Sequence, residues 1–216
     1  MYKHFFKRLI DILFSLIALP FVLLVIAIFG PIIFFTDKGP IFYNAPRLGK
    51  NGKIFKMYKL RSMKVNSPNL LNKDGSTYNG KDDPRVTKIG RFMRKTSIDE
   101  FPQFLNVLKG DMSLIGPRAV LTTNFNGFDK LDDDRKIRNS VRPGITGYNQ
   151  AYYRNAANAE QKLANDVYYV KNLTFLMDVK VLFKTVISVV KRDNIYVSAE
   201  TEKTAETEKA TEKVLK

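Results

Sequence analysis

TSIDEFPQFLNVLKGDMSLIGPR, residues 96–118, places adjacent carboxylates, Asp99 and Glu100, ahead of an amphipathic pattern. Phe101, Phe104, Leu105 and Leu108 recur at i, i+3, i+4 and i+7, which predicts a helix with one apolar face. Gly110 supplies a helix stop, and Gly116-Pro117-Arg118 a tight turn ending in a guanidinium. Two readings of the carboxylate pair coexist. Ser97-x-x-Glu100 has the form of a capping box, and Pro102 suits a first helical turn. Alternatively, a carboxylate pair at one end and an arginine on a turn at the other can serve a metal and a phosphate together. The readings are compatible, since the helix dipole keeps an N-terminal carboxylate ionised, the state a nucleophile needs.

Composition narrows the chemistry. The 216 residues leave room for one domain with a real core, and a formal charge of +15 calls for an anionic partner. Cysteine is absent and His4 is the only histidine, which excludes disulfides, thiolate sites, histidine triads and multi-histidine zinc. Chemistry must rest on carboxylates, Lys, Arg or hydroxyls, with oxygen-bound Mg²⁺ the metal that fits.

Upstream, an apolar run from Leu9 to Phe35 exceeds the roughly 20 residues a bilayer crossing needs. Pro20 removes a helical hydrogen bond in its middle and kinks the axis. Lys3, Lys7 and Arg8 flank one end; Lys38, Arg47, Lys50, Lys53, Lys56, Lys59 and Arg61 follow the other. Positive residues prefer the cytoplasmic side, so a helix that enters and returns keeps both flanks there. A re-entrant helix over 1–36, broken at Pro20, is therefore expected, with a straight span as the alternative. Asp11 is expected to pair with Arg8 or a neighbour. Asn51-Gly52 predicts a small β-hairpin, residues 65–84 a loop able to act as a lid, and 87–95 a short helix turning Ile89, Phe92 and Met93 inward.

Downstream, 120–140 read as a charged helix. Asp132-Asp133-Asp134 begin it as a solvated start rather than a metal site. VRPGITGYNQAYYRN, 141–155, reads as a loop that could cradle a nucleotide, with tyrosine stacking on a base and Arg142 and Arg154 meeting phosphate. Helices follow at 159–171 and 174–191; Asp178 interrupts the apolar stripe of the second. The Thr-Glu-Lys repeats place a solvated, disordered tail at 196–216, leaving 37–195 as the catalytic domain.

Taken together, DEFPQFLNVLKGDMSLIGPR (99–118), VRPGITG (141–147), DVYYVKNLTFLMDVKVLF (166–183) and the proline-bearing first helix resemble the small monotopic phosphoglycosyl transferases. These are bacterial sugar transferases that act on polyprenyl phosphate, and the resemblance covers about residues 3–193. It implies an α+β, mostly helical protein on the cytoplasmic face of the bacterial cell membrane, with amphipathic interfacial helices. It implies transfer of a sugar 1-phosphate from a UDP-sugar to polyprenyl (undecaprenyl) phosphate, with UMP released, to initiate glycan assembly. Asp99 would be the nucleophile that forms a phosphosugar-aspartyl intermediate, and Glu100 would help hold Mg²⁺. Arg118 would bind phosphate, with Lys59, Arg61, Arg94, Arg142 and Arg154 as further candidates.

The chain departs from the family's pattern at Leu19, Asn44, Ala119, Tyr148 and Tyr153; the tyrosines bear on nucleotide and sugar preference, so the sugar does not transfer by analogy. Two alternatives keep other roles open: direct attack by the lipid phosphate with Asp99 as base, and a non-enzymatic basic module on membrane lipid. Nucleic acid is not an expected partner, whereas a homodimer through the apolar helix is a further expectation.

Overall fold

A computed structural model describes residues 1–68, 70, 78, 80, 82–122, 125–153 and 156–191. The expected tail, Arg154 and much of the 65–84 loop lie outside the described residues.

The protein is mostly helical with two small sheets. A π turn at Tyr2–Phe6 leads into α1, Lys7–Asp37, the one described helix long and apolar enough to cross a membrane. At 31 residues it is about 46 Å long. Pro20 and Pro31 both sit inside its unbroken helical assignment. Both ends of α1 dock on the same globular body. At the first turn, Arg8 donates to the carbonyls of Val107 (2.6 Å) and Leu108 (2.9 Å). One turn on, Asp11 accepts from Ser113 Oγ (3.0 Å) and the Leu114 amide (2.9 Å), where Arg8 or a neighbour was expected. At the far end, Asp37 takes both terminal nitrogens of Arg61 at 2.6 Å, and Ile33 packs with Leu60 and Met93. Between these anchors Leu13, Phe14, Ile17, Phe21, Leu24 and Ile28 are 50–68% exposed. A soluble helix buries such residues; their exposure suits an apolar surrounding.

The hairpin forms as expected. Strands β1 (Ala45–Leu48) and β2 (Ile54–Met57) pair antiparallel from Ala45↔Met57 to Leu48↔Ile54. The turn needs left-handed backbone at Asn51 (φ 53°) and Gly52 (φ 80°), the conformation Asn-Gly adopts most readily. Helix α2, Lys88–Thr96, is capped by the Thr87 hydroxyl. Met93 is buried as expected, but Phe92 is half exposed and stacks on Phe29 of α1 at 6.2 Å, because the apolar first helix supplies a neighbour there.

Helix α3 spans Gln103–Lys109, then β3 Ser113–Ile115 and β4 Val120–Leu121. The latter pairs with β1 and completes a three-stranded sheet, β2-β1-β4. The helix expected over 120–140 shrinks to α4, Asp133–Arg138. Asp132 caps it through the Arg135 amide, the role expected of that acidic start. The expected 141–155 loop instead contains β5, Gly144–Thr146, parallel to β3, and α5, Tyr148–Tyr152. Its tyrosines pack on one another, Tyr148 on Tyr152 at 4.7 Å and on Tyr168 at 5.3 Å. Helices α6 (Ala159–Lys171) and α7 (Phe175–Lys191) close the described chain.

Asp178 is explained by what surrounds it. This buried carboxylate accepts from Tyr2 Oη, Lys7 Nζ (2.6 Å) and Tyr169 Oη (2.6 Å), joining α7 to α6 and to the start of α1. Elsewhere along α7, Phe175, Leu176, Phe183 and Val186 are exposed, so this part of the stripe faces outward rather than into the core.

Candidate active site

The carboxylate pair sits at a chain reversal. Helix α2 ends on Ser97, which adopts left-handed backbone (φ 58°), and a 3₁₀ turn carries Ile98–Glu100, with Pro102 immediately before the first residue of α3. The capping-box reading fails here: Ser97 makes no side-chain cap, and α3 starts at Gln103, beyond both carboxylates. Asp99 and Glu100 therefore belong to the turn rather than to the first turn of α3. Two contacts hold that turn in place. The Leu60 amide donates to the Asp99 carbonyl at 2.9 Å, and buried Asn106 of α3 accepts from the Tyr58 amide while donating to the Lys56 carbonyl, each at 2.8 Å. Lys59 is thereby delivered to the carboxylates.

Its ammonium lies 2.9 Å from Asp99 Oδ2 and 3.1 Å from Glu100 Oε1. Arg118 Nη2 donates to the same Glu100 oxygen at 3.0 Å. Burial alone would push the Glu100 carboxyl up, but Lys59 and Arg118 outweigh it and hold Glu100 well below the usual carboxylate range. Burial likewise works against the Lys59 charge, and Glu100 and Asp99 reverse that and raise its pKa. Arg118 is raised, chiefly by Glu100. Asp99 is 1% exposed, and its Oδ2, though close to Lys59, makes no directed hydrogen bond.

The arginine-bearing turn is fixed by the β3–β5 ladder. Gly116 N donates to Thr146 O (2.8 Å) and Gly144 N to Pro117 O (2.9 Å). A Cβ on Gly144 would lie 2.1 Å from Gly116 N, so the close approach of the two strands requires glycine. Behind the turn, buried Arg138 donates to the Arg118 carbonyl and, at 2.8 Å, to Asp166.

One wide cleft joins these groups, walled on one side by Ala18 and Phe21 of α1. Of the residues singled out in the sequence, Asp99, Glu100, Lys59 and Arg118 come together, and Arg94 lines the same cleft with Nε donating to Ser62 Oγ (2.9 Å). Arg61 reaches the wall, but its guanidinium is held by Asp37 and the carbonyls of Pro40, Met63 and Ile33, the geometry of an anchor for α1. Arg142 is not among the cleft residues; it donates to the Gly110 carbonyl at 2.8 Å, at the end of α3. Sequence reasoning missed Arg138, Asp166 and Gln150, and placed Arg47 only in the basic flank of the apolar run. Arg47 lines the cleft with a buried Nε that has no hydrogen-bond partner.

The carboxylates of the cleft suit a divalent cation only in a sparse mode. Among the described residues no three His, Cys, Asp or Glu side chains converge into an all-protein metal cage. Asp99 and Glu100, adjacent carboxylates of which Asp99 Oδ2 accepts no directed hydrogen bond, match the sparser mode in which Mg²⁺ takes one or two carboxylates and completes its shell with substrate phosphate and water.

Comparison with known proteins gives the family. The undecaprenyl-phosphate galactose phosphotransferase of Salmonella typhimurium is 37% identical over 214 residues, covering 90% of this chain and 42% of the relative. The UDP-N-acetylgalactosamine-undecaprenyl-phosphate N-acetylgalactosaminephosphotransferase of Aeromonas hydrophila is 40% identical over 185 residues, covering 84% and 43%. The chain thus spans less than half the length of these two relatives. It covers 96% of the exopolysaccharide production protein PSS of Rhizobium leguminosarum bv. phaseoli, at 38% identity over 198 residues and 86% of this chain. The bacterial sugar transferase family profile matches residues 2–192, so on both measures this chain belongs to the bacterial sugar transferase family.

Proposed function

We propose that the chain transfers a sugar 1-phosphate from a UDP-sugar to undecaprenyl phosphate, or a similar polyprenyl phosphate, in two displacements at Asp99. The observation that carries this reading is the buried Asp99 carboxylate, ion-paired with Lys59 at 2.9 Å and set in a cleft also lined by Arg94 and Arg118. In the first displacement an Asp99 oxygen bonds to the β-phosphorus, the bond to the bridging oxygen breaks, and UMP leaves with that electron pair. In the second, an oxygen of the lipid phosphate bonds to the same phosphorus and the aspartyl oxygen leaves, restoring the carboxylate and giving polyprenyl diphosphate sugar. Arg118 and Lys59 offset charge on the phosphoryl oxygens, and Glu100 keeps both cations oriented. Mg²⁺, held by Glu100 with phosphate oxygens, would supply further charge neutralisation. Direct attack with Asp99 as base is the competing route.

A monotopic placement on the cytoplasmic face follows the same line. Arg8 and Asp11 at one end of α1, and Asp37 at the other, bind a single globular body. A helix that crossed the bilayer would carry one end away from that body. This supports a re-entrant path for residues 1–36, with Pro20 and Pro31 as the places where the axis can bend.

UMP release from a panel of UDP-sugars with Mg²⁺, without lipid, tests the two-step route. A near-stoichiometric burst with a phosphosugar mass on the intact protein, both absent in Asp99→Asn, is the expected result. No UMP burst without lipid, but turnover once undecaprenyl phosphate is added, would overturn the covalent step in favour of direct attack.

A further inference from the structure

Five buried side-chain atoms lack a hydrogen-bond partner among the described residues: Ser15 Oγ, Arg47 Nε, Asp99 Oδ2 and both amide atoms of Gln150. Buried polar atoms are nearly always paired, so each exception calls for an explanation. Arg47, Asp99 and Gln150 all line the cleft. The first two carry charge suited to a phosphate or a reacting phosphorus, whereas Gln150 carries none.

The position of Gln150 is close to the catalytic turn. A Cβ on Gly147 would lie 2.9 Å from Gln150 Oε1 and 2.1 Å from the Gly116 carbonyl, which places the amide beside Gly116-Pro117-Arg118. Some other uncharged polar side chains of the cleft are already paired. Thr146 and Thr185 share a hydrogen bond at 2.8 Å, and Asn149 Oδ1 accepts from Asn165 at 3.0 Å. A carboxamide offers N–H donors and a carbonyl acceptor side by side, with no net charge. It matches a neutral group that presents an acceptor next to a donor.

We propose that Gln150 reads the neutral hydrogen-bonding edge of the sugar nucleotide, its amide pairing with a donor and an acceptor that flank the phosphates held by Arg118. The inference rests on the donor being a nucleoside diphosphate sugar. In such a molecule the required pair comes from the imide edge of uracil or from neighbouring hexose hydroxyls. Either one satisfies both orphaned atoms at once, and a phosphate satisfies only the N–H.

The test compares the unmodified full chain with Gln150→Leu, which removes donor and acceptor at similar volume. Losing the paired amide is expected to lower kcat/KM for UMP release about tenfold to hundredfold, with KM for undecaprenyl phosphate unchanged. The melting temperature should hold or rise, because an unpaired buried amide is removed from the free protein. Two arms identify the edge that is read. If inhibition by UMP weakens by the same factor, the partner is uracil. If UMP inhibition is unchanged while the preference between UDP-galactose and UDP-glucose shifts, the partner is the hexose. A kcat/KM within twofold of the unmodified value overturns the proposal. So does a loss accompanied by a lower melting temperature, which would mark Gln150 as structural. Absence of UMP from every donor with the unmodified chain would overturn the parent reading, and this inference with it.

Discussion

Arg138 donates from its guanidinium to the main-chain carbonyl of Arg118, so the arginine facing the cleft is held from behind by a buried one. Arg138 is itself fixed by Asp166 of α6 at 2.8 Å. Burial pushes the Asp166 carboxyl up, and Arg138 opposes that push. Arg138→Ala should therefore leave a buried carboxylate without its counter-charge and cost about 3–5 kcal/mol in urea unfolding. The double change Arg138→Met with Asp166→Leu removes both charges and should restore most of that stability. It should not restore activity, because the Arg118 carbonyl has lost its donor; UMP release about tenfold below the unmodified rate is expected. Full activity in the double variant would show that the turn holds its shape without Arg138.

Glu100 and Lys59 predict a flat pH profile at neutrality and a displaced one when the pair is broken. The folded pKa of Glu100 is depressed, so its stabilising contribution is present above the unfolded carboxylate value and is lost as pH falls through the folded one. The folded pKa of Lys59 is raised, so its contribution is full below the unfolded amine value and is lost as pH rises through the folded one. Between about pH 5 and pH 9 neither should titrate. Glu100→Gln removes the larger of the two charges that raise Lys59 and leaves burial to act against the ammonium. The alkaline limb of the UMP-release profile should then move to lower pH. An unmoved limb would mean that Lys59 does not control it.

The sequence made legible what is local. Gly110 at φ 92° does stop α3, Asn-Gly does turn the hairpin, and Thr87 caps α2 where its spacing placed the start. Asp99, Glu100 and Arg118 were legible as the carboxylates and cation of one specific motif, and Lys59 as a further basic candidate outside it. Contacts that span the chain left no local signal. Asp166 is 28 residues from Arg138, and Asp178 is 171 from Lys7, so neither pairing has a spacing to read. Ser97 misled because a capping box and a left-handed helix end use the same residue types; only the backbone angle separates them. The 141–155 stretch misled because glycine and proline read as loop, whereas Gly144 is there to let β5 approach Gly116.

Arg61 separates anchoring from substrate binding. Its guanidinium, 7% exposed, is committed to Asp37 and three carbonyls at the end of α1. Arg61→Met should lower the unfolding free energy by about 3–5 kcal/mol, because Asp37 and the carbonyls lose their donor. The folded fraction should keep its KM for the UDP-sugar. Lys59→Met is the control: it should impair UMP release directly, since Lys59 touches both carboxylates. A raised donor KM in Arg61→Met at full folding would return Arg61 to the phosphate-binding set.

Asp178 predicts how the first helix is held to the rest of the protein. Its two oxygens gather Lys7, Tyr2 and Tyr169, while the Tyr2 ring meets Phe175 edge-on at 5.6 Å. Asp178→Asn keeps the volume but removes the charge that balances Lys7, whose side chain is 12% exposed. About 3–5 kcal/mol of stability should be lost. Tyr2→Phe removes one hydrogen bond and keeps the ring contact, so a smaller loss of about 1 kcal/mol is expected. Lys7→Met with Asp178→Leu should recover most of the larger loss, because no buried charge is then left alone. Protease sensitivity at the N-terminus should follow the same order, greatest in Asp178→Asn, since freeing Lys7 and Tyr2 releases the first turn of α1. Equal sensitivity in all variants would assign the docking of α1 to Arg8 and Asp11 instead, whose contacts to α3 and β3 these changes leave in place.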